Sequence, residues 1–421
     1  MRLSGAKPTA SPVVLGLLLA VYVLSFVDRQ LVSLLAEQIK ADLGVSDLQL
    51  GLLTGFWFAL VYTTFGIPIA TLADRFNRVA IVATACLAWS AFTAACGMSA
   101  TYWQLALARI GVGLGEAGGT PPSVSLMADY FPPEKRTWAM TMFMMATPIG
   151  MVIAGLIGGF VAAAYGWRMA FLVAAAPGVL LALCVLVVVK EPIRGRLDGV
   201  QNGAERQPGE LRALLMDRSF VLLCGSAAAT AFVGYGLLAW VPAYLVRSHG
   251  MGQAQVGAWL SWAFGFAMAA GILGSGAAVA WRAKHDVAAN AYVPAVAALA
   301  AAPVMALALF APTWPIALAL FCVPTGLFMV YIAPSMAAVQ ALAPSTSRSV
   351  ATAVFMFVLN LVGMGGGPVF VGYLSDTLAP QFGSASLRFA LLALAPLFLI
   401  AALGFFTLAR HLRRVSGSHH R

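Results

Sequence analysis

The chain has 421 residues, of which 61% are hydrophobic and only 10% charged. Soluble domains carry about 25% charged residues, so a water-soluble fold is excluded by the apolar surface it would leave in water. The formal charge of +10 raises nucleic acid or an anionic ligand as partners, but the positions of the basic residues explain it otherwise.

The chain begins with Arg2 and Lys7 and then an apolar run. A cleaved leader is not expected, because the run continues for a full span, contains Asp28 and Arg29, and lacks a small-residue cleavage site. Apolar stretches of about 20 residues then recur, the length that crosses a hydrocarbon core about 30 Å thick. They must be helices, since lipid cannot satisfy an open strand edge. The spans are expected near 13–35, 50–72, 79–98, 102–127, 138–163, 167–189, 219–246, 253–279, 289–310, 314–341, 349–373 and 386–409. The expected fold is therefore an all-α membrane protein of twelve transmembrane helices.

The longest polar stretch, 191–218 (following Lys190), separates six spans in 1–190 from six in 219–421. Two six-helix bundles joined by a linker are expected. A weak echo between the halves agrees: Trp167-Arg168 with Phe171 and Pro177 opens the sixth span, and Leu387-Arg388 with Phe389 and Pro396 the twelfth. Paired repeats of this kind occur in many secondary transporters. With both termini on one side, the loops there hold 19 basic residues, while the other face holds Lys40, Arg168, Arg247 and Arg388. That asymmetry makes the richer side, with both termini, cytoplasmic. It accounts for the positive charge without nucleic acid. The compact loops suit a bacterial inner membrane and a monomer.

Pro121-Pro122 is expected to end the fourth span. Gly155, Gly158 and Gly159, and Gly363 with Gly365 to Gly367, are read as surfaces for close helix approach. The Gly111-Gly113-Gly115 run is no phosphate loop, for it has neither a flanking strand nor a Lys-Ser/Thr pair. The five cysteines have no metal-ligand spacing, and neither a disulfide framework nor a cofactor is expected. All five histidines fall in loops or the tail, so no intramembrane catalytic cluster or enzyme is expected.

Four ionisable residues inside spans carry most of the information: Asp28 and Arg29 in the first, Arg109 and Glu116 in the fourth. Each charge at mid-bilayer costs about 2.5–3.5 kcal/mol on insertion scales and persists beside a cavity or a partner. Arg109, Gly113 and Glu116 share one helix face, whereas the neighbours Asp28 and Arg29 diverge by about 100°. Two readings stand: a transport site, or an ion-pair network that only locks the two helices together. The second half has polar Thr230, Tyr235, Thr325, Tyr331, Gln340 and Asn360 but no central charge. Its aromatics (Trp259, Trp262, Phe266, Phe328 and Phe357 among them) either line an apolar cavity wall suited to an amphiphile's tail or face lipid. Met140 to Met151 reads as an adaptable wall or as ordinary packing.

Several segments carry a resemblance. Ala70 to Arg78, with Asp74, Arg75 and Arg78, resembles the loop motif of the major facilitator superfamily, with Ala70 where glycine is usual. The resemblance implies a gating role for Asp74, with Arg78 and Asp129 as partners. Within that superfamily, 26–55, 107–118 and 367–376 resemble the Spinster family of lipid transporters and its bacterial relatives. This implies proton coupling through Asp28 and Glu116, and head-group binding by Arg29 and Arg109. Asn360 and Tyr235 are the candidate contacts from the second half. The expected function is proton-coupled transport of an amphiphilic lipid, of lysophospholipid or sphingoid-phosphate type, by alternating access. Transport of small organic anions, or multidrug efflux, is the alternative on the same scaffold.

Overall fold

The computed structural model describes residues 11–194, 214–282, 288–343 and 347–418. Among these residues every regular element is helical. The first half comprises α1 (Ser11–Leu34), α2 (Ala36–Leu43), α3 (Asp47–Arg75), α4 (Arg78–Gly97), α5 (Tyr102–Glu116), α6 (Thr120–Tyr130), α7 (Pro133–Tyr165) and α8 (Trp167–Val188). The second half comprises α9 (Arg218–His249), α10 (Gln253–Ala278), α11 (Ala289–Leu309), α12 (Trp314–Leu342), α13 (348–382) and α14 (386–418). Ten candidate membrane spans are long and apolar enough to cross a bilayer. Val350–Arg413 forms one of them, although it holds α13 and α14 on either side of a 3-10 turn at Gly383–Ala385. Helices α5 and α6 are too short to qualify singly.

The break between α5 and α6 corrects one expectation. Pro121-Pro122 does not end the span; it occupies the first turn of α6, where a missing N–H costs nothing. The helix instead opens at Ala117–Gly119, directly after Glu116. Most of the segment 191–218 lies outside the described residues. At its start, Arg194 donates to the carbonyls of Ala73, Asp74 and Phe76 and so caps the end of α3.

The two halves meet where α1 packs on α9, α3 on α13, and α7 on α10. The hydrogen bonds and ion pairs that join them gather at one end. There Arg247 of α9 reaches both Asp47 oxygens at 2.6 and 2.7 Å and Glu37 at 2.7 Å. Ser375 donates to Asp47 at 2.7 Å, and Asp376 accepts from the backbone N–H groups of Asp47 and Leu48. That last pairing places a carboxylate on the positive N-terminus of α3. At the opposite end, α3 presents Phe65, Ile67, Leu72 and Phe76 at 45–60% exposure. The described hydrogen bonds and ion pairs thus tie the two halves together at the Asp47 end, opposite the end bearing Asp74.

Four helices carry a π-helical turn: Leu52–Phe56 in α3, Ile157–Val161 in α7, Val256–Leu260 in α10 and Leu359–Gly366 in α13. The turns of α3 and α13 touch, as do those of α7 and α10. At the second seam a β-carbon on Gly257 would lie 2.3 Å from the Gly155 carbonyl oxygen and 2.4 Å from the Gly159 Cα. Only glycine permits that approach, as the reading of these glycines as packing surfaces anticipated.

Candidate functional site

Helix α1 turns one face to the interior of the first half and the adjoining face to the interface. Tyr22, Ser25 and Arg29 recur at i, i+3 and i+7, so they stack on one stripe. Arg29 Nε lies 2.7 Å from Glu116 Oε2, and the Ser25 hydroxyl donates to the same oxygen at 2.6 Å. Glu116 is fully buried, while the Arg29 side chain keeps 15% exposure. The pair therefore ties α1 to the last turn of α5, and the Arg29 Nη2 is buried beside it with no hydrogen-bond partner among the described residues.

Aromatic rings frame this pair. The Arg29 guanidinium lies 4.8 Å from the centroids of both Phe58 and Tyr62, one turn apart on α3. Such cation–π contacts hold a guanidinium without neutralising it. Tyr22, stacked on Phe143, Tyr62, and Tyr235 from the second half all fall within the electrostatic reach of Arg29. Tyr235 packs edge-on to Phe328, which neighbours Tyr331. The rings in contact with this cation, Phe58 and Tyr62, thus come from α3 of the first half.

Asp28 points the other way, as its 100° offset from Arg29 requires. It is 1% exposed, and the Thr93 hydroxyl lies beside its carboxyl without completing a well-formed hydrogen bond. Arg109 does not pair with it side chain to side chain. Its guanidinium binds the backbone carbonyls of Asp28 (3.2 Å) and Leu53 (3.4 Å) beneath Phe58. The four intramembrane charges are thus one Arg–Glu pair, one carboxyl outside any ion pair and one guanidinium held by main-chain oxygens.

Of the other candidate residues, Asn360 is half-buried in the π-helical turn of α13, and its side chain makes no hydrogen bond among the described residues. Arg78 is 2% exposed and clamped between Asp129 at 2.6 Å and Glu191 at 2.7 Å. Asp74 and Arg75 are exposed at the end of α3. Sequence reasoning did not single out Ser25, Tyr22, Phe58, Tyr62 or Glu191. The first four were detectable, since they repeat at helical spacing beside Arg29 or on the facing helix. Glu191 was not, because its contact spans 113 residues.

Residues 18–367 match the Major Facilitator Superfamily. The chain belongs to that superfamily. An MFS-type efflux pump of Mycolicibacterium smegmatis is 34% identical over 95% of this chain and 92% of its own length. The sphingosine-1-phosphate transporter SPNS2 of Mus musculus is 29% identical over 92% of this chain and 74% of its own. Among solved structures, a bacterial homologue of the human lysosomal transporter Spinster, inward-facing and unoccupied, superposes with a TM-score of 0.82. That match has 29% identity and covers 97% of this chain and 99% of the other. This facilitator is accordingly an integral membrane transporter, similar to Spinster proteins, and its relatives are transporters and pumps rather than enzymes.

Proposed function

We propose that this facilitator is a proton-coupled secondary transporter of an amphiphilic lipid with an anionic head, working by alternating access. The observation that carries this reading is the buried Arg29–Glu116 pair between α1 and α5, with Phe58 and Tyr62 against the guanidinium. An anionic head group can take Glu116's place on Arg29 once Glu116 accepts a proton. Asp28 is the second proton carrier, because burial outside any ion pair penalises an ionised carboxyl. Arg109 fixes the α1 and α3 backbones behind the pair, and Tyr235 and Asn360 complete the head-group contacts from the second half. Asp74, Arg75, Arg78 and Asp129 belong to the gate at the Asp74 end.

In this reading twelve helices cross the bilayer as two six-helix bundles, 1–190 and 219–421, and the protein acts as a monomer in a bacterial inner membrane. Both termini and the Asp74 end face the cytoplasm, in keeping with the basic residues gathered there. The conformation is then inward-facing. Similarity to a sphingosine-1-phosphate transporter supports the lipid class.

A second reading, efflux of drugs or small organic anions, has its own support. The relative from M. smegmatis is an efflux pump, and Trp259, Trp262 and Phe266 are 46–68% exposed rather than enclosed as a wall for a tail. Proteoliposome uptake of a labelled lysophospholipid, with and without an inward proton gradient, separates the two. Gradient-driven flux that disappears in Asp28→Asn supports the lipid reading. Flux of ethidium or a small aromatic acid with none of lysolipid moves the substrate to the second, and gradient-driven flux unchanged in Asp28→Asn removes Asp28 from the coupling.

A further inference from the structure

Near Glu116 a small, partly open chamber separates α1, α4, α6 and α7. It has room for the centre of a single water-sized sphere, about 10 Å³, and is lined by Tyr22, Ser25, Trp89, Thr120, Ser123 and Phe143 among others. Two polar groups in or beside it are unsatisfied. The Trp89 indole N–H, on a residue 0% exposed, has no acceptor among the described residues, and Glu116 Oε1 likewise has no donor. Ser25 spends its proton on Glu116 and Ser123 spends its own on the Gly119 carbonyl, so both hydroxyl oxygens can still accept. Broken membrane helices satisfy such groups through ordered water.

We infer that this chamber binds one structural water, accepting from Trp89 Nε1–H and donating to Ser25 and Ser123, and that this water relays protons to Glu116. A cavity of this volume with two to four polar partners is the smallest that holds a water. The relay balances as follows. Ser25 passes its hydroxyl proton to Glu116 Oε2 as it takes one from the water. The water is replenished from solution past the half-exposed Thr120. The net change is one proton moved from solution to the carboxylate. Trp89 holds the water and never touches the proton, which makes it a positioning residue. Its ring can sit there because a β-carbon on Gly115 would meet Trp89 backbone N at 2.7 Å.

This inference rests on Glu116 being a proton carrier, and two readouts keep the claims apart. A map of the full-length protein that resolves waters should show density between Trp89 and Ser25; a dry chamber overturns the inference. Infrared spectroscopy of the protein in liposomes should show a protonated-carboxyl band that is lost in Glu116→Gln. The hydrogen–deuterium exchange of that band should slow about tenfold or more in Trp89→Phe and in Ser123→Ala. Unchanged exchange in both variants refutes the relay even where the water is seen. A Glu116 that shows no such band at any pH refutes the proton reading itself, and the map still decides the chamber.

Discussion

Replacing Arg247 by glutamine should swing this transporter away from the conformation described here. The guanidinium makes three charge-assisted contacts at 2.6–2.7 Å, two to Asp47 and one to Glu37, and these close the end opposite Asp74. Breaking a fully buried ion pair costs about 3–5 kcal/mol. Here the Arg247 side chain is 15% exposed and Glu37 26%, and Lys40 and Ser375 still hold Asp47. Solvent therefore recovers part of the loss, and about 2 kcal/mol is a fair remainder. The contacts exist only while that end is shut, so the whole difference appears in the balance between the two conformations. About 2 kcal/mol changes a population ratio by about 30-fold. Pulsed EPR between spin labels at exposed Ala41 and Ser384 reads that ratio directly, as growth of a longer-distance population. Identical distance distributions in wild type and Arg247→Gln would refute the claim that this cluster latches the end.

Two further substitutions test the packing. Gly257→Val places a side chain where main-chain atoms of Gly155 and Gly159 already lie within 2.4 Å. The α7–α10 seam should fail to close, and transport should fall at least about tenfold without loss of folded protein on size-exclusion chromatography. Arg78→Ala removes a buried guanidinium that bridges Asp129 and Glu191 and should cost about 3 kcal/mol, visible as a lower melting temperature. Arg75→Ala, three residues earlier but exposed, should leave melting within about 0.5 kcal/mol of wild type. Equal effects from the two arginines would remove the distinction between clamp and surface charge.

The all-helical architecture was legible because lipid imposes one solution on any long apolar segment. The divergence of Asp28 from Arg29 was legible because helical geometry fixes it at the level of two adjacent letters. Which cation would pair with Glu116 was not. Arg109 shares the helix face of Glu116 but lies two turns away, and Arg29 supplies the contact from another helix. Interhelical distance decided that, and no local pattern encodes it. The π-helical turns were equally hidden, since one additional residue in a turn changes hydrogen bonding without changing composition. Pro121-Pro122 misled for a related reason: a proline pair stops a helix or starts one according to where the preceding turn opens. Exposure of Trp259, Trp262 and Phe266 likewise depended on how α10 is rotated, which its nearly uniform apolarity leaves open.

The seam at Gly257, and the one at Gly55 where a β-carbon would lie 2.6 Å from the Met364 carbonyl oxygen of α13, have a mechanical consequence. Side chains that interdigitate behave like gear teeth: to move, they must first disengage. Where glycines bring bare backbone onto bare backbone, as α7 does with α10, there are few teeth to clear. Such a contact is a bearing. The two halves can roll about it while remaining in touch, so opening one end and closing the other need not expose the whole interface to solvent or lipid at any moment. The ionic cluster around Arg247 then serves as the detent that stops the roll at one limit.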